Sequence, residues 1–288
     1  MPWVRIYSHK ALVGMPRPNA FGPTENVIDL LNPLAGFLVG MLVGFTGVGG
    51  GALMTPLLVI LFGVAPQTAV GTDLLFASIT KAVGGWVHGK RGSIDWMVLR
   101  RLAAGSLPAA ALTVALLHYS PQQAGLRAII LPALGAALML TSLAMLFQSR
   151  LHNLGQRLRT TEPGRFKLLQ APLTVVAGAL LGFLVTLTSV GAGALGVVML
   201  VYLYPFRLTP AKLVGTDIAH AIPLTLVAGL GHMSLGNVDF GLLGTLLVGS
   251  VPGIIIGSRL TLRVDQRYVR IAIAVVLAVV GGRLLLQR

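Results

Sequence analysis

Two glycine-rich stretches of the chain have the spacing of a dinucleotide-binding fingerprint. The stretch "TSVGAGALG" contains G-x-G-x-x-G at Gly191, Gly193 and Gly196, and Asp217 follows 21 residues after the last glycine. The earlier stretch "GFTGVGGGALMTP" has the G-x-G-x-x-A variant, and Asp73 follows it at the same distance. In a nucleotide-binding protein such glycines let the backbone approach a pyrophosphate, and the acid binds the ribose. The two loops are therefore candidates for anion binding.

The composition places these loops in a membrane protein. Charged residues make up 10% of the chain and hydrophobic residues 55%, with a mean hydropathy of +0.84, whereas a soluble domain carries about 25% charged residues. Ten apolar runs recur along the chain, and several reach the roughly 20 residues that a helix needs to cross a bilayer. A soluble dinucleotide-binding domain has no use for such runs, and this excludes the ribose role for the aspartates.

The cysteine content and the distribution of charge exclude further classes of function. The chain has no cysteine, so disulfides, thiolate metal sites and thiol chemistry are excluded. The net charge of +14 comes from basic residues between apolar runs, as in "SRLHNLGQRLRTTEPGRFK", which favours membrane topology over nucleic-acid binding. The first residues lack the apolar core of a cleaved signal peptide. We therefore predict an integral protein of the bacterial inner membrane, with the basic segment in the cytoplasm and no nucleic-acid partner.

The chain is an internal duplication. "VGTD" at 70–73 recurs at 214–217, and "GSLP" at 105–108 recurs as "GSVP" at 249–252, both 144 positions later. The glycine loops match at an offset of 142. Each half has five apolar runs, and an odd number of crossings inverts the second copy relative to the first.

These patterns predict an all-α polytopic membrane protein of two inverted repeats, with about five hydrophobic segments each and eight to ten membrane segments in total. The runs at 52–64 and 194–206 are too short to cross the bilayer. We interpret them as re-entrant segments or half-helices after each glycine loop. The predicted divisions are an N-terminal extension 1–28, a first transmembrane repeat 29–147, a basic cytoplasmic linker 148–170 and a second repeat 171–288.

Four of the eight acidic residues form two repeat-related pairs of different character. Asp95 and Asp239 precede apolar runs in "GSID" and "GNVD", where aspartate is a good helix N-cap. Asp73 and Asp217 open apolar runs, and two interpretations stay open for them. They cap helices together with the neighbouring Thr72 and Thr216, or they are membrane carboxylates that bind a coupled proton.

Two further polar residues lie in apolar runs without a repeat mate of the same type. Lys81 corresponds to Thr225, and His220 corresponds to Phe76. Lys81 either attracts an anion or forms a structural contact, and His220 is a candidate ligand or proton carrier. Glycine loops at helix N-termini point amide N–H groups at an anion, although tight helix packing also uses small residues. The candidate substrate-binding residues are Thr46, Gly47, Gly49, Gly50, Lys81, Thr188, Ser189, Gly191 and Gly193, and the candidate proton-coupling or site-organising residues are Thr72, Asp73, Thr216, Asp217 and His220.

The stretches "GFLVGMLVGFTGVGGGALMTPLLVILFGVAPQTAVGTDLLFASITKAVGG" and "LLGFLVTLTSVGAGALGVVMLVYLYPFRLTPAKLVGTDIAHAIP" resemble the two repeats of the TauE/SafE family of sulfite exporters and sulfonate-uptake permeases. The resemblance covers nearly the whole chain after residue 28. It implies an inner-membrane transporter of sulfite, sulfoacetate, thiosulfate or organosulfonates, with the glycine loops and Thr-Asp pairs on the family's repeated motifs. Ser189 and Ala192 replace the residues at Gly47 and Gly50 in the second loop.

We therefore expect a secondary transporter with alternating access around a central anion site, coupled to protons or another ion. The alternatives are an anion channel, a transporter of another small anion such as a carboxylate, and an intramembrane enzyme. The enzyme is disfavoured because no His, Asp or Glu cluster has ligand spacing and no serine has a nearby base. We predict no catalytic residue, metal or cofactor, and the expected partners are the anion, the coupling ion and membrane lipids. A homodimer is compatible with the sequence.

Overall fold

The computed structural model describes residues 23–46, 51–88, 92–119, 123–161, 163–260 and 266–286, and these ranges contain ten α-helices and no strand. The helices in chain order are α1 Pro23–Thr46, α2 Gly51–Ile60, α3 Pro66–His88, α4 Trp96–His118, α5 Gln123–Thr161, α6 Pro163–Thr188, α7 Ala194–Leu203, α8 Pro210–Ser234, α9 Phe240–Leu260 and α10 Gln266–Leu286. Helices α1 to α5 correspond to α6 to α10 by the duplication.

Half of these helices are long enough to cross a membrane and are also sufficiently apolar. Within the described ranges, α4, α5, α6, α8 and α9 contain segments that are long and apolar enough to cross a bilayer. By contrast, α2 and α7 have 10 residues each, which at 1.5 Å per residue is about 15 Å and half of the hydrocarbon thickness. The prediction of an all-α polytopic membrane protein with a short segment after each glycine loop is confirmed.

The basic segment between the repeats is mostly helical. Helix α5 has 39 residues and continues through Thr161, so it extends well into the predicted linker 148–170, and α6 begins at Pro163. At about 58 Å, α5 is nearly twice as long as the hydrocarbon core is thick. The domain boundaries and the cytoplasmic position of the segment stay predictions.

The two copies of the repeat are inverted. Ser78 Oγ of α3 donates to the carbonyl of Ile222 in α8, its own repeat mate, at 3.4 Å. Gly85 lies beside Ile218, so positions rise along α3 as they fall along α8 and the helices are antiparallel. Helices α5 and α10 are antiparallel in the same way. Mates that run in opposite directions are related by a two-fold axis perpendicular to them.

The halves interlock through glycines. Helix α1 packs parallel to α9, and α4 packs parallel to α6 in the corresponding arrangement. A Cβ atom added to a glycine of the α1–α9 contact would lie between 1.8 and 2.4 Å from a backbone oxygen of the other helix. Small residues allow such close backbone approach between membrane helices. The glycines are Gly36, Gly40 and Gly44 of α1 with Gly249, Gly253 and Gly257 of α9, and Gly178 and Gly182 of α6 with Gly105 of α4.

A methyl group at this contact should separate the halves. In Gly249→Ala the new Cβ meets the Pro33 carbonyl oxygen at 1.8 Å, and backbone cannot move aside as a side chain can. We expect a severalfold lower yield of monodisperse protein after detergent extraction, measured by size-exclusion chromatography. Gly244→Ala is the matched control on α9, because nothing lies within 4 Å of its Cβ position and alanine favours the helix. Equal yields of the two variants would contradict this packing.

Candidate functional site

The glycine of each Gly-Thr-Asp motif lets α3 and α8 approach a loop of the opposite half. A Cβ atom at Gly71 would lie 2.1 Å from the backbone oxygen of Asn237, and one at Gly215 would lie 2.3 Å from the backbone oxygen of Ser93. Asn237 and Ser93 are themselves repeat mates. The two contacts are therefore one contact repeated by the two-fold relation.

The threonine of each motif completes this contact. Thr72 Oγ1 accepts a hydrogen bond from the backbone N–H of Asp239 at 3.0 Å, and Thr216 Oγ1 accepts one from the N–H of Asp95 at 2.9 Å. We call these two reciprocal contacts, Gly71–Thr72 with Asn237–Asp239 and Gly215–Thr216 with Ser93–Asp95, the brackets. The threonines organise the structure by joining the halves.

Asp95 and Asp239 are helix N-caps, which confirms the sequence prediction. Asp95 Oδ1 accepts from the N–H of Val98 at 3.2 Å, and Asp239 Oδ1 accepts from the N–H of Leu242 at 3.0 Å. These bonds satisfy amides at the starts of α4 and α9 that have no intrahelical acceptor.

The capping interpretation of the Thr72–Asp73 and Thr216–Asp217 pairs is wrong. Helix α3 begins at Pro66 and α8 at Pro210, six residues before each threonine, and Thr209 caps α8 by accepting from the N–H of Lys212. The helices begin earlier because proline suits the first helical position, where its missing N–H is not needed. The two aspartates consequently lie within the helices.

One bracket carries an ion pair. Arg207 donates to Asp95 through Nε at 2.6 Å and through Nη2 at 3.2 Å. Burial raises the pKa of Asp95, but the hydrogen bonds from Arg207 and from the N–H of Val98 outweigh it, so the net pKa lies below the usual range. Arg207 aligns with Ala65 at the offset of 142 and with Gly63 at the offset of 144, so it has no arginine counterpart in the first half.

Asp73 is fully buried and is held by a residue that the sequence analysis missed. Its Oδ2 accepts from the N–H of Thr55 at 3.2 Å and from Thr55 Oγ1 at 2.5 Å. Asp73 Oδ1 has no hydrogen-bond partner among the described residues. Thr55 belongs to the short helix α2, and the available signal was a hydroxyl residue within an otherwise apolar segment after the glycine loop.

Asp217 is equally buried, at 2% exposure, but its surroundings differ. Its Oδ1 lies 2.3 Å from the Cβ position that Gly196 of α7 leaves vacant, so this glycine makes room for the carboxyl group. Asp217 Oδ2 has no partner within the described part of the chain. The mate of Thr55 in this half is Val197, whose side chain cannot donate and whose N–H is bonded to the Gly193 carbonyl at 3.0 Å.

Lys81 is within electrostatic reach of both carboxylates. Its side chain is 3% exposed, and Nζ donates to the carbonyl of Ala192 in the second glycine loop at 2.7 Å. The ammonium group interacts electrostatically with Asp217 and, more weakly, with Asp73. A lysine from the first half is thus tied to the loop of the second half. Buried cations in membrane helices pair with carboxylates or carbonyls in this way.

The second glycine loop turns sharply before α7. Ser189, Gly191 and Gly193 have positive φ angles of 59°, 115° and 125°, a region that favours glycine. The Thr188 hydroxyl closes the turn, because it donates to the Leu184 carbonyl and accepts from the N–H of Val190. Ser189 lies beside the Asp73 carboxyl group, and its Oγ is buried without a partner of hydrogen-bond geometry among the described residues.

His220 connects the same region to α4. Its Nε2 lies 2.8 Å from Ser106 Oγ, and its ring is within electrostatic reach of Lys81. We call the five residues that meet here the central cluster. The central cluster consists of Asp73, Lys81, Ser189, Asp217 and His220.

The remaining candidate residues are not assigned to the central cluster. Thr72 and Thr216 lie in the brackets, Thr188 is used in the loop turn, and Gly191 and Gly193 shape that turn. Gly47, Gly49 and Gly50 lie outside the described residues, as does the side chain of Thr46. Within the described ranges, no three His, Asp or Glu side chains are grouped to hold a metal ion.

The sequence profile of the family described as sulfite exporter TauE/SafE matches residues 33–284. The chain belongs to this family. It is 40% identical over 257 residues to the probable membrane transporter protein YjnA of Bacillus subtilis, covering 88% of this chain and 98% of the relative. It is also 28% identical to the probable membrane transporter protein YfcA of Escherichia coli K12, covering 91% of this chain and 94% of that protein.

No solved structure matches the chain significantly. Family membership and the apolar helices make the protein an integral membrane transporter. The fold matches that class, because inverted copies place equivalent residues of the two halves around one central cluster.

Removing a bracket hydroxyl should destabilise the folded transporter. Thr72→Val and Thr216→Val keep the side-chain shape but leave the N–H of Asp239 or Asp95 without its acceptor, which costs about 1–3 kcal/mol. We expect each variant to unfold in detergent at a temperature several degrees lower. Thr245→Val is the control, since Thr245 Oγ1 donates only to carbonyls of its own helix. Thermal unfolding curves that coincide for all the variants would contradict the bracket assignment.

Proposed function

We propose that the protein is a secondary transporter of small sulfur-containing anions in the bacterial inner membrane, of the sulfite, sulfoacetate, thiosulfate or organosulfonate class. The central cluster carries the proposal, because it buries a lysine and two aspartates where the inverted halves meet. Ionisable groups inside a membrane protein are costly and mark substrate or ion pathways. The name of the family supports the sulfur-anion class.

The cluster supplies the groups that a small oxyanion needs. Lys81 is the buried cation among the described residues of the cluster, and the glycine loop before α7 brings a helix N-terminus to the same place. Amide N–H groups and the helix dipole at such a terminus favour an anion. The hydrogen bonds that close this loop use the N–H groups of Ser189, Val190, Gly196 and Val197, and we assign the N–H groups of 191–193 to the anion.

The two-fold relation supports alternating access. Exchange of the two inverted halves converts a site open to one side of the membrane into one open to the other. With the basic segment of α5 and α6 in the cytoplasm, export of an anion runs with the inside-negative potential, at about 2.3 kcal/mol per charge per 100 mV. Uptake requires a coupled cation, for which Asp73 and Asp217 are the candidates.

Transport by the purified protein in proteoliposomes tests the function. Labelled sulfite, thiosulfate, sulfoacetate and taurine are compared with acetate and succinate, with and without a pH gradient. We expect saturable uptake and counterflow of at least one sulfur anion. Preference for the carboxylates would replace the substrate class, flux that never saturates would indicate a channel, and no uptake under any gradient would overturn the proposal.

Lys81→Ala tests the position of the anion. Loss of the buried ammonium should raise the half-saturating anion concentration at least tenfold, because the replacement removes the positive charge of the cluster. Lys212→Ala is the matched control, since Lys212 is exposed in the first turn of the neighbouring helix α8. An unchanged half-saturating concentration in Lys81→Ala would remove the lysine from the site.

A further inference from the structure

The charge of the central cluster does not balance when all its groups are ionised. Lys81 contributes one positive charge, and Asp73 and Asp217 contribute two negative charges. His220 is the other titratable residue here, and it lies against Ser106 of α4. The elements packed on the carboxyl groups, α2, α7 and the loop before α7, contribute Thr55, Gly196 and Ser189, which carry no charge. One proton bound to a carboxylate would neutralise the cluster, and an unbalanced charge within the membrane is costly.

The surroundings decide which carboxylate takes the proton. Hydrogen bonds donated to a carboxylate stabilise its ionised form, and Asp73 Oδ2 accepts two of them from Thr55. Asp217 lacks both equivalents, because Val197 replaces the threonine and its N–H is bonded to Gly193. The duplication thus contains an internal comparison, because Asp73 accepts two hydrogen bonds from Thr55 and Asp217 accepts neither equivalent bond from Val197.

We propose that the transporter carries one proton per transport cycle on Asp217, while Asp73 stays ionised because its carboxylate accepts the two hydrogen bonds from Thr55. The proposal deepens the proposed function and rests on it. The proton binds at the buried Oδ2 of Asp217, which has no partner among the described residues, from one side of the membrane and leaves from there to the other. No other bond forms or breaks.

This assignment couples the proton to the anion. With Asp217 protonated the cluster is neutral, so the loop amides and Lys81 can accept an anion. With Asp217 ionised the cluster carries a net negative charge and repels the anion. Proton and anion therefore cross the membrane together and in the same direction, as a symport.

The repeat offers a variant that tests the assignment without removing either carboxylate. Val197→Thr places a hydroxyl donor at the position that Thr55 has in the first half. We expect it to stabilise the ionised form of Asp217, so that the pH at half-maximal anion uptake falls by about one unit. Val198→Thr is the matched control, because Val198 is a buried neighbour on α7 at a position whose mate is Pro56. Circular dichroism and thermal unfolding verify that both variants are folded.

Proton flux measured together with anion flux gives the second readout. A pH-sensitive dye inside the proteoliposomes should report one proton per anion in the unmodified protein and in Val197→Thr. In Asp217→Asn, whatever anion exchange remains should move no proton. Thr55→Val distinguishes the two aspartates, since a pH shift in this variant together with none in Val197→Thr would make Asp73 the carrier and overturn the proposal.

The outcomes separate this proposal from the proposed function. Anion uptake without any proton movement in the unmodified protein would overturn the proton assignment and leave the transport function intact. No anion uptake at all would instead overturn the transport function on which the assignment rests.

Discussion

Close backbone contact between the two halves is the constraint on which the rest of the structure depends. The contact of α1 with α9 and that of α4 with α6 bring helix backbones together through glycine. In a membrane, helices gain little from excluding water, so van der Waals packing at short range is a main source of attraction. The brackets then hold the N-terminal halves of α3 and α8, and these helices position the central cluster. A side chain at one of these glycines would disturb the cluster without touching it.

The residues that pack the two halves together are repeated in both copies, whereas most polar residues at the centre differ between the copies. The glycines and the bracket threonines recur in both halves because they perform the same packing task twice. The two cluster aspartates recur, but their neighbours do not: Lys81 aligns with Thr225, His220 with Phe76, and Thr55 beside the cluster with Val197. A site at or near the two-fold axis needs only one lysine, because a second lysine would add a like charge at close range. The helix packing is therefore symmetric between the halves, while the central cluster is asymmetric.

The sequence predicted the features that the duplication displays twice. The inverted repeats, the short segments after the glycine loops, the N-caps at Asp95 and Asp239 and the buried character of Asp73 and Asp217 follow from patterns within each copy. The interpretation of the Gly-Thr-Asp motifs as helix starts was wrong, because Pro66 and Thr209–Pro210 mark the starts of α3 and α8. The contacts of Thr55 with Asp73 and of Lys81 with Ala192 depend on how α2 folds back and how the halves dock. Local periodicity carries no information about either.

The ion pair between Arg207 and Asp95 affects the energies of the two orientations in the proposed alternating-access cycle. Two conformations that an exact two-fold relation interchanges have the same free energy, so each would be occupied half of the time. Arg207 reinforces one bracket, and neither Gly63 nor Ala65, which align with it in the first half, carries a charge, so this interaction is not repeated. A half-exposed pair contributes up to about 1 kcal/mol, enough to change the ratio of the two populations roughly fivefold. In the proposed cycle, Arg207 thus joins the unmatched residues of the cluster in making the two orientations unequal in free energy.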